Sequence, residues 1–160
     1  PSYERILQWF PDLTVFAHGP IFWGELIELD TAAQRKPVFF RNGDYIASKV
    51  KRHGPIIENS VVHKLFRSYP NLLGELSDAA GYLACDDVRG PAFLTEFQDR
   101  IYYGCDICAS FNTHPFTFRD FIDGLCESGA ISETVYRKVC RDNAAKLLGL
   151  SLATMEDTNL

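Results

Sequence analysis

The sequence has no run of the roughly 18 to 20 apolar residues that a helix needs to span a bilayer, although 46% of its 160 residues are hydrophobic. It also opens without a basic-then-apolar leader. A membrane is therefore not an expected partner, and the cytoplasm is the expected compartment. Basic charge is scarce: 16 Lys and Arg stand against 21 Asp and Glu, a net charge of −5. General nucleic-acid binding needs a basic face that neutralises phosphates, so nucleic acid is not an expected partner either. The five cysteines, Cys85, Cys105, Cys108, Cys126 and Cys140, are odd in number and lack framework spacing, which excludes a disulfide scaffold and favours reduced thiols. No Gly-x-Ser-x-Gly elbow occurs. An initiator methionine is missing as well. Pro1 and Ser2 lead directly into an amphipathic segment, with Ser2 as candidate N-cap and Ile6, Leu7 and Phe10 on one side. The expectation is a chain that starts inside a larger fold.

What is present suits one globular unit. Aromatic residues make up 13% of the chain, enough with the aliphatics for one sizeable core, and the length is short for two ordinary domains. Three segments share a plan of helix, aromatic residue, polar break, short strand and polar terminus: WFPDLTVFAHG, SYPNLLGELSD and EFQDRIYYGCD. From Phe10 to His18 is eight positions, from Tyr69 to Ser77 eight, and from Phe97 to Asp106 nine. The spacing predicts strands at 13–17, 72–76 and 101–105, and helices at 2–10, 20–29, 60–69, 91–97 and 117–125. The last of these opens at Thr117 and carries Phe118, Phe121, Ile122 and Leu125. A final helix runs from a Ser132 cap through Val135, Val139, Ala144 and Leu148 to a Gly149 stop. Helices alternating with apolar strands predict an α/β fold with a parallel sheet covered on both faces.

Residues 30–55 break the pattern. Arg35, Lys36, Arg41, Lys49, Lys51 and Arg52 face only Asp44 after Asp30, with turn signals at Asn42-Gly43 and Gly54-Pro55. They read as a basic insertion between the first two strands, either a solvated loop or a means of steering an anionic substrate. Residues 151–160 read as a polar tail. Three strands cannot close a barrel, which takes about eight, and an open sheet exposes two edges. The chain is thus either one part of a barrel or a small sheet that buries its edges by association.

Catalytic groups in parallel α/β folds sit at the C-terminal ends of strands. His18 ends the first strand and Asp106 the third, which makes both candidates for one site. Imidazole suits metal ligation or proton transfer, and a carboxylate suits a cation or its water. The competing readings are a structural histidine before the Gly19-Pro20 turn and a capping aspartate. Phe22 and Trp23 read as core or as the wall of a substrate pocket. His114 reads as a loop residue that could approach the cavity, and Ser77 and Asp78 follow the second strand without forming a recognisable triad. Cys105 and Cys108 form a lone C-x-x-C, for which no second pair or spaced histidine completes four ligands.

The pieces FPDLTVFAHG, SYPNLLGELS, FLTEFQDRIYYGCDIC and DNAAKLLGL resemble the last strands and closing helix of the amidohydrolase-related family that includes aminocarboxymuconate semialdehyde decarboxylase and the resorcylate-type decarboxylases. The resemblance spans about residues 1–150. It implies the C-terminal portion of a (β/α)8 barrel, of which this chain holds about three parallel strands with their helices. It further implies that His18 is the acid/base or transition-state-stabilising histidine after strand six, and that Asp106 is the strand-eight aspartate that binds the divalent metal, zinc being the expected ion. The family's remaining ligands, an HxH-type motif on strand one and a histidine near strand five, have no counterpart here. His53, His63 and His114 fall in predicted loop, helix and loop. The implied activity is hydrolysis of a C–N or C–O bond, or decarboxylation of an aromatic or unsaturated acid, on a small-molecule substrate. The alternative is a truncated, non-catalytic α/β module that binds a partner through its sheet edges.

Overall fold

The computed structural model describes residues 2–28, 55–77, 79–105 and 116–152. Three helix-to-strand units lie in chain order: α1 (Ser2–Trp9) leads to β1 (Val15–Ala17), α3 (Val61–Ser68) to β2 (Leu72–Glu75), and α5 (Arg89–Glu96) to β3 (Ile101–Tyr102). Between them sit α2 (Pro20–Trp23), continued by a 3-10 turn at Gly24–Leu26, and the short α4 (Ala80–Leu83). The chain then runs through α6 (Phe116–Glu127), α7 (Glu133–Arg137), a π-helical step at Lys138–Asp142 and α8 (Asn143–Leu147). The strands form one parallel sheet in the order β1-β2-β3. The protein is therefore a mixed α/β fold around a small parallel sheet.

Local chemistry sets the element boundaries. Ser60 Oγ caps α3 by accepting from the His63 N–H at 3.2 Å, and Ser132 Oγ caps α7 through the Val135 N–H at 3.2 Å. Gly149, at φ 68°, takes the left-handed conformation that closes α8. Asn71 joins the first unit to the second, its side-chain amide donating to the carbonyls of Leu7, Phe10 and Leu13. Arg100 does the same for the second and third. Its guanidinium lies over the Phe66 and Phe97 rings and donates to Phe66 O at 2.6 Å and Tyr69 O at 3.0 Å.

The main core gathers on one face of the sheet. Ala17, Leu72 and Ile101 point into it, together with Trp23, Phe66, Phe93 and Phe97. Gly74 leaves room for those rings: a Cβ there would meet Phe66 and Trp23 at 2.9 Å and Ile101 at 3.0 Å. Because side chains alternate along a strand, Phe16, Leu73, Glu75 and Tyr102 point the other way. The Phe16 and Tyr102 rings meet there at 5.2 Å, outside the main core, and Phe16 stays 41% exposed. Among the described residues this second face is covered in part, with Leu73 buried and Phe16 exposed. The helices that bury Ala17, Gly74 and Ile101 all lie on one side.

Other expectations shift in detail. Ser2 is the first residue of α1 rather than its cap, and the core face of that helix is Tyr3 and Leu7, while Ile6 and Phe10 are exposed with Trp9 and Leu13. The helix expected at 20–29 ends as a 3-10 turn, because Ile27 pairs with Ile56 in an antiparallel bridge. That bridge, with Glu28 N donating to Pro55 O and Ile57 N to Leu26 O, joins the two flanks of 29–54, a segment outside the described residues that holds most of the expected insertion. The third strand stops at Tyr102 because the Tyr103 N–H turns to Val139 O in the π-helical step. Asn143 completes that junction, its buried amide donating to Gln98 O at 2.6 Å and Ile101 O at 2.8 Å.

Candidate active site

Parallel pairing in register brings the C-terminal ends of the strands to one level. Ala17 pairs with Gly74 and Glu75 with Tyr102, so the next residue of the first strand, His18, stands beside Glu75. His18 Nδ1 lies 2.6 Å from Glu75 Oε2. The imidazole is 50% exposed and the carboxylate 24%, which puts the pair at the rim of the sheet rather than in its core.

Ser77, just beyond β2, folds back on the same carboxylate. Its N–H donates to Glu75 Oε1 at 2.9 Å, its hydroxyl donates to Oε2 at 2.7 Å, and Oγ stands 3.3 Å from His18 Nδ1. From below, the fully buried Trp23 donates its indole N–H to the Glu75 carbonyl at 3.0 Å. The third strand contributes by omission. A Cβ on Gly104 would overlap Glu75 Oε1, so glycine there makes room for the carboxylate.

Glu75 and Ser77 both crowd one ring nitrogen. A Ser-His-acid triad needs the acid on Nδ1 and the nucleophile on Nε2. With Ser77 beside Nδ1 and its hydroxyl given to Glu75, serine is a structural support for the carboxylate, not the nucleophile of such a triad.

Sequence reasoning placed His18 at a strand end, and it is there. Asp106 lies outside the described residues, as do Asp78, Cys108, His53 and His114. Cys105, the last residue described before Asp106, is a partly buried free thiol. His63 belongs to the core: it is buried at the start of α3, its Nδ1 is 2.9 Å from Ser60 Oγ, and its ring packs edge-on against Phe93. Burial, followed by the nearby Arg67 charge, holds its pKa below the ordinary 6.5. Phe22 and Trp23 are core rather than pocket wall.

Glu75 and Gly104 escaped the sequence reading, which sets Ser77 after the second strand but outside the site. One signal was available in Leu-Leu-Gly-Glu-Leu, where a carboxylate closes an otherwise apolar, central strand. A group of that kind normally has a partner.

Among the described residues, no cluster of three or more His, Cys, Asp or Glu side chains is placed to hold a metal ion. His18 and Glu75 are two donors, and both Glu75 oxygens already accept from Ser77. The described residues by themselves thus do not fit a catalytic zinc, which keeps about three protein ligands. No family model, no curated protein and no solved structure matches the chain.

Proposed function

We propose that the chain forms the C-terminal part of an amidohydrolase-like (β/α)8 barrel acting as a metal-dependent hydrolase of C–N or C–O bonds, or as a decarboxylase of an aromatic or unsaturated acid. The observation that carries this reading is the imidazole of His18 held by a carboxylate from the neighbouring strand, at the end of a parallel sheet where such folds place their chemistry. The uninterrupted order β1-β2-β3 supports it, since strands adjacent in sequence are adjacent in a barrel. So does the partly exposed face of Phe16 and Tyr102, which in a barrel becomes interior. In this reading His18 accepts or returns a proton, and Asp106 is the one metal ligand in this chain. A divalent ion, zinc by expectation, would supply Lewis acidity toward water, carbonyl or carboxylate.

The test is metal content and turnover of the protein translated from the complete reading frame. Asp106→Asn should lower both metal per chain and rate, whereas His18→Gln should lower rate with metal largely kept. An Asp106→Asn protein with normal metal and normal rate removes Asp106 from the site. The 160-residue chain alone should bind added zinc weakly in calorimetry, and a tight stoichiometric site would contradict the ligand assignment.

A second reading rests on the apolar margin of the β1 edge. Trp9, Phe10, Leu13 and Phe16 are all exposed there, which suits a module that binds another protein through this edge. A complete reading frame that lacks an HxH-type motif upstream would favour it over the enzyme.

A further inference from the structure

The hydrogen bonds around His18 point to a positioning role for Glu75: we propose that Glu75 fixes the neutral imidazole of His18 as the Nδ1–H tautomer, leaving Nε2 as its basic nitrogen. The tautomer follows from the contacts at Nδ1. Its use, presenting Nε2 as the atom that takes a proton, rests on the reading of His18 as the proton carrier.

Three observations carry the assignment. At 2.6 Å, Nδ1 and Glu75 Oε2 must have a hydrogen between them, because a bare ring nitrogen would set its lone pair against a carboxylate oxygen. Ser77 cannot supply that hydrogen to Nδ1, since its hydroxyl proton goes to Oε2 at 2.7 Å, the shorter of its two contacts. The carboxylate also cannot readily turn away. Its Oε1 accepts the Ser77 N–H, its main chain is held by Trp23 Nε1 and the central strand, and Oε1 fills the space that Gly104 leaves. An imidazole whose Nδ1–H is held by a carboxylate has its ring orientation and its basic nitrogen both set, as in metal-bound and general-base histidines.

The test needs neither metal nor substrate, so its failure is distinct from failure of the proposed function. Long-range 1H–15N correlation spectra of the 15N-labelled 160-residue chain, at a pH where the ring is neutral, report which nitrogen of each imidazole carries the proton. The His18 signals are those missing from His18→Gln. We expect protonated Nδ1 and bare Nε2 in the wild type. In Glu75→Gln the immovable Ser77 N–H should draw the amide oxygen to the Oε1 position, turning the amide NH2 toward Nδ1. The tautomer should then flip to Nε2–H. Ser77→Ala should keep Nδ1–H, because the carboxylate remains. A wild-type Nε2–H ring overturns the proposal, as does a Glu75→Gln protein with native circular dichroism and an unchanged tautomer. If Glu75→Gln fails to fold, the wild-type and Ser77→Ala spectra decide: loss of Nδ1–H in Ser77→Ala assigns the control to serine and overturns it.

Discussion

Gly104 and Glu75 share one volume, for the Glu75 carboxylate occupies the place where a Cβ on Gly104 would stand. The two residues come from adjacent strand ends, so the absence of a side chain on one permits the charge on the other.

Gly104→Ala should therefore force either the carboxylate or the backbone to move. Overpacking of this kind costs roughly 1–3 kcal/mol, and here it acts on a carboxylate tied to His18 and Ser77. We expect a lower urea midpoint together with loss of the His18 Nδ1–H signal. An alanine variant with wild-type stability and an unchanged His18 spectrum would show that Glu75 does not depend on that space.

Asn143→Ala should be among the more damaging single changes outside the candidate site. It removes the side-chain amide that donates to Gln98 O and Ile101 O at the junction of α8 with β3. Each buried carbonyl left without a donor costs about 1–3 kcal/mol. Equilibrium urea unfolding measures the loss, and a change within about 0.5 kcal/mol, typical of unconstrained surface sites, would mean that water replaces the amide without penalty.

Acid should weaken the fold in two steps. His63 has a depressed pKa in the folded state, chiefly through burial, so unfolding takes up a proton in the interval below 6.5. Its contribution is complete above that value and is lost as the pH falls through the lower folded pKa. Glu96 is held below 4.5 first by its hydrogen bond from Arg67, at 2.6 Å from Nε to Oε1. Its contribution is present above 4.5 and lost as the pH falls through the lower folded value. With both partners about 40% exposed, that ion pair is worth only about 1 kcal/mol or less. Urea midpoints measured across this range should show the first loss missing from His63→Gln and the second from Glu96→Gln.

Cys140 should resist alkylation in the folded chain. Burial, reinforced by the nearby Asp123 charge, pushes its thiol up to about 11, so little thiolate exists near neutral pH. Peptide mapping after brief iodoacetamide treatment should find Cys140 modified much more slowly than in urea-unfolded protein. Equal rates in the two states would contradict its burial.

How much of this was legible beforehand differs by scale. The three helix-to-strand units stood in the sequence, because an aromatic residue, a polar break and a short apolar run recur at nearly constant spacing. Ser132 and Gly149 announced their caps for the same local reason, since capping depends on residues within a single turn. Strand ends were less legible. The run 101–105 continues past the ladder, which stops where the Tyr103 N–H finds Val139 O, a partner 36 residues on in the sequence.

The sequence by itself determined that the chain alternates helix and strand, and that an imidazole ends the first strand. Only the tertiary structure decided what meets that imidazole. Glu75 stands 57 positions away from His18, and no local periodicity encodes which residues of two parallel strands lie side by side. That is fixed by the pairing of Ala17 with Gly74, which puts the next residue of each strand together at the sheet's end. The same holds for the faces of α1, where Tyr3 and Leu7 are covered and Ile6 and Phe10 are not. All four are apolar or aromatic, and it is the position of β1 and α2, met by Tyr3 at Phe16 O and the Phe22 ring, that selects between them.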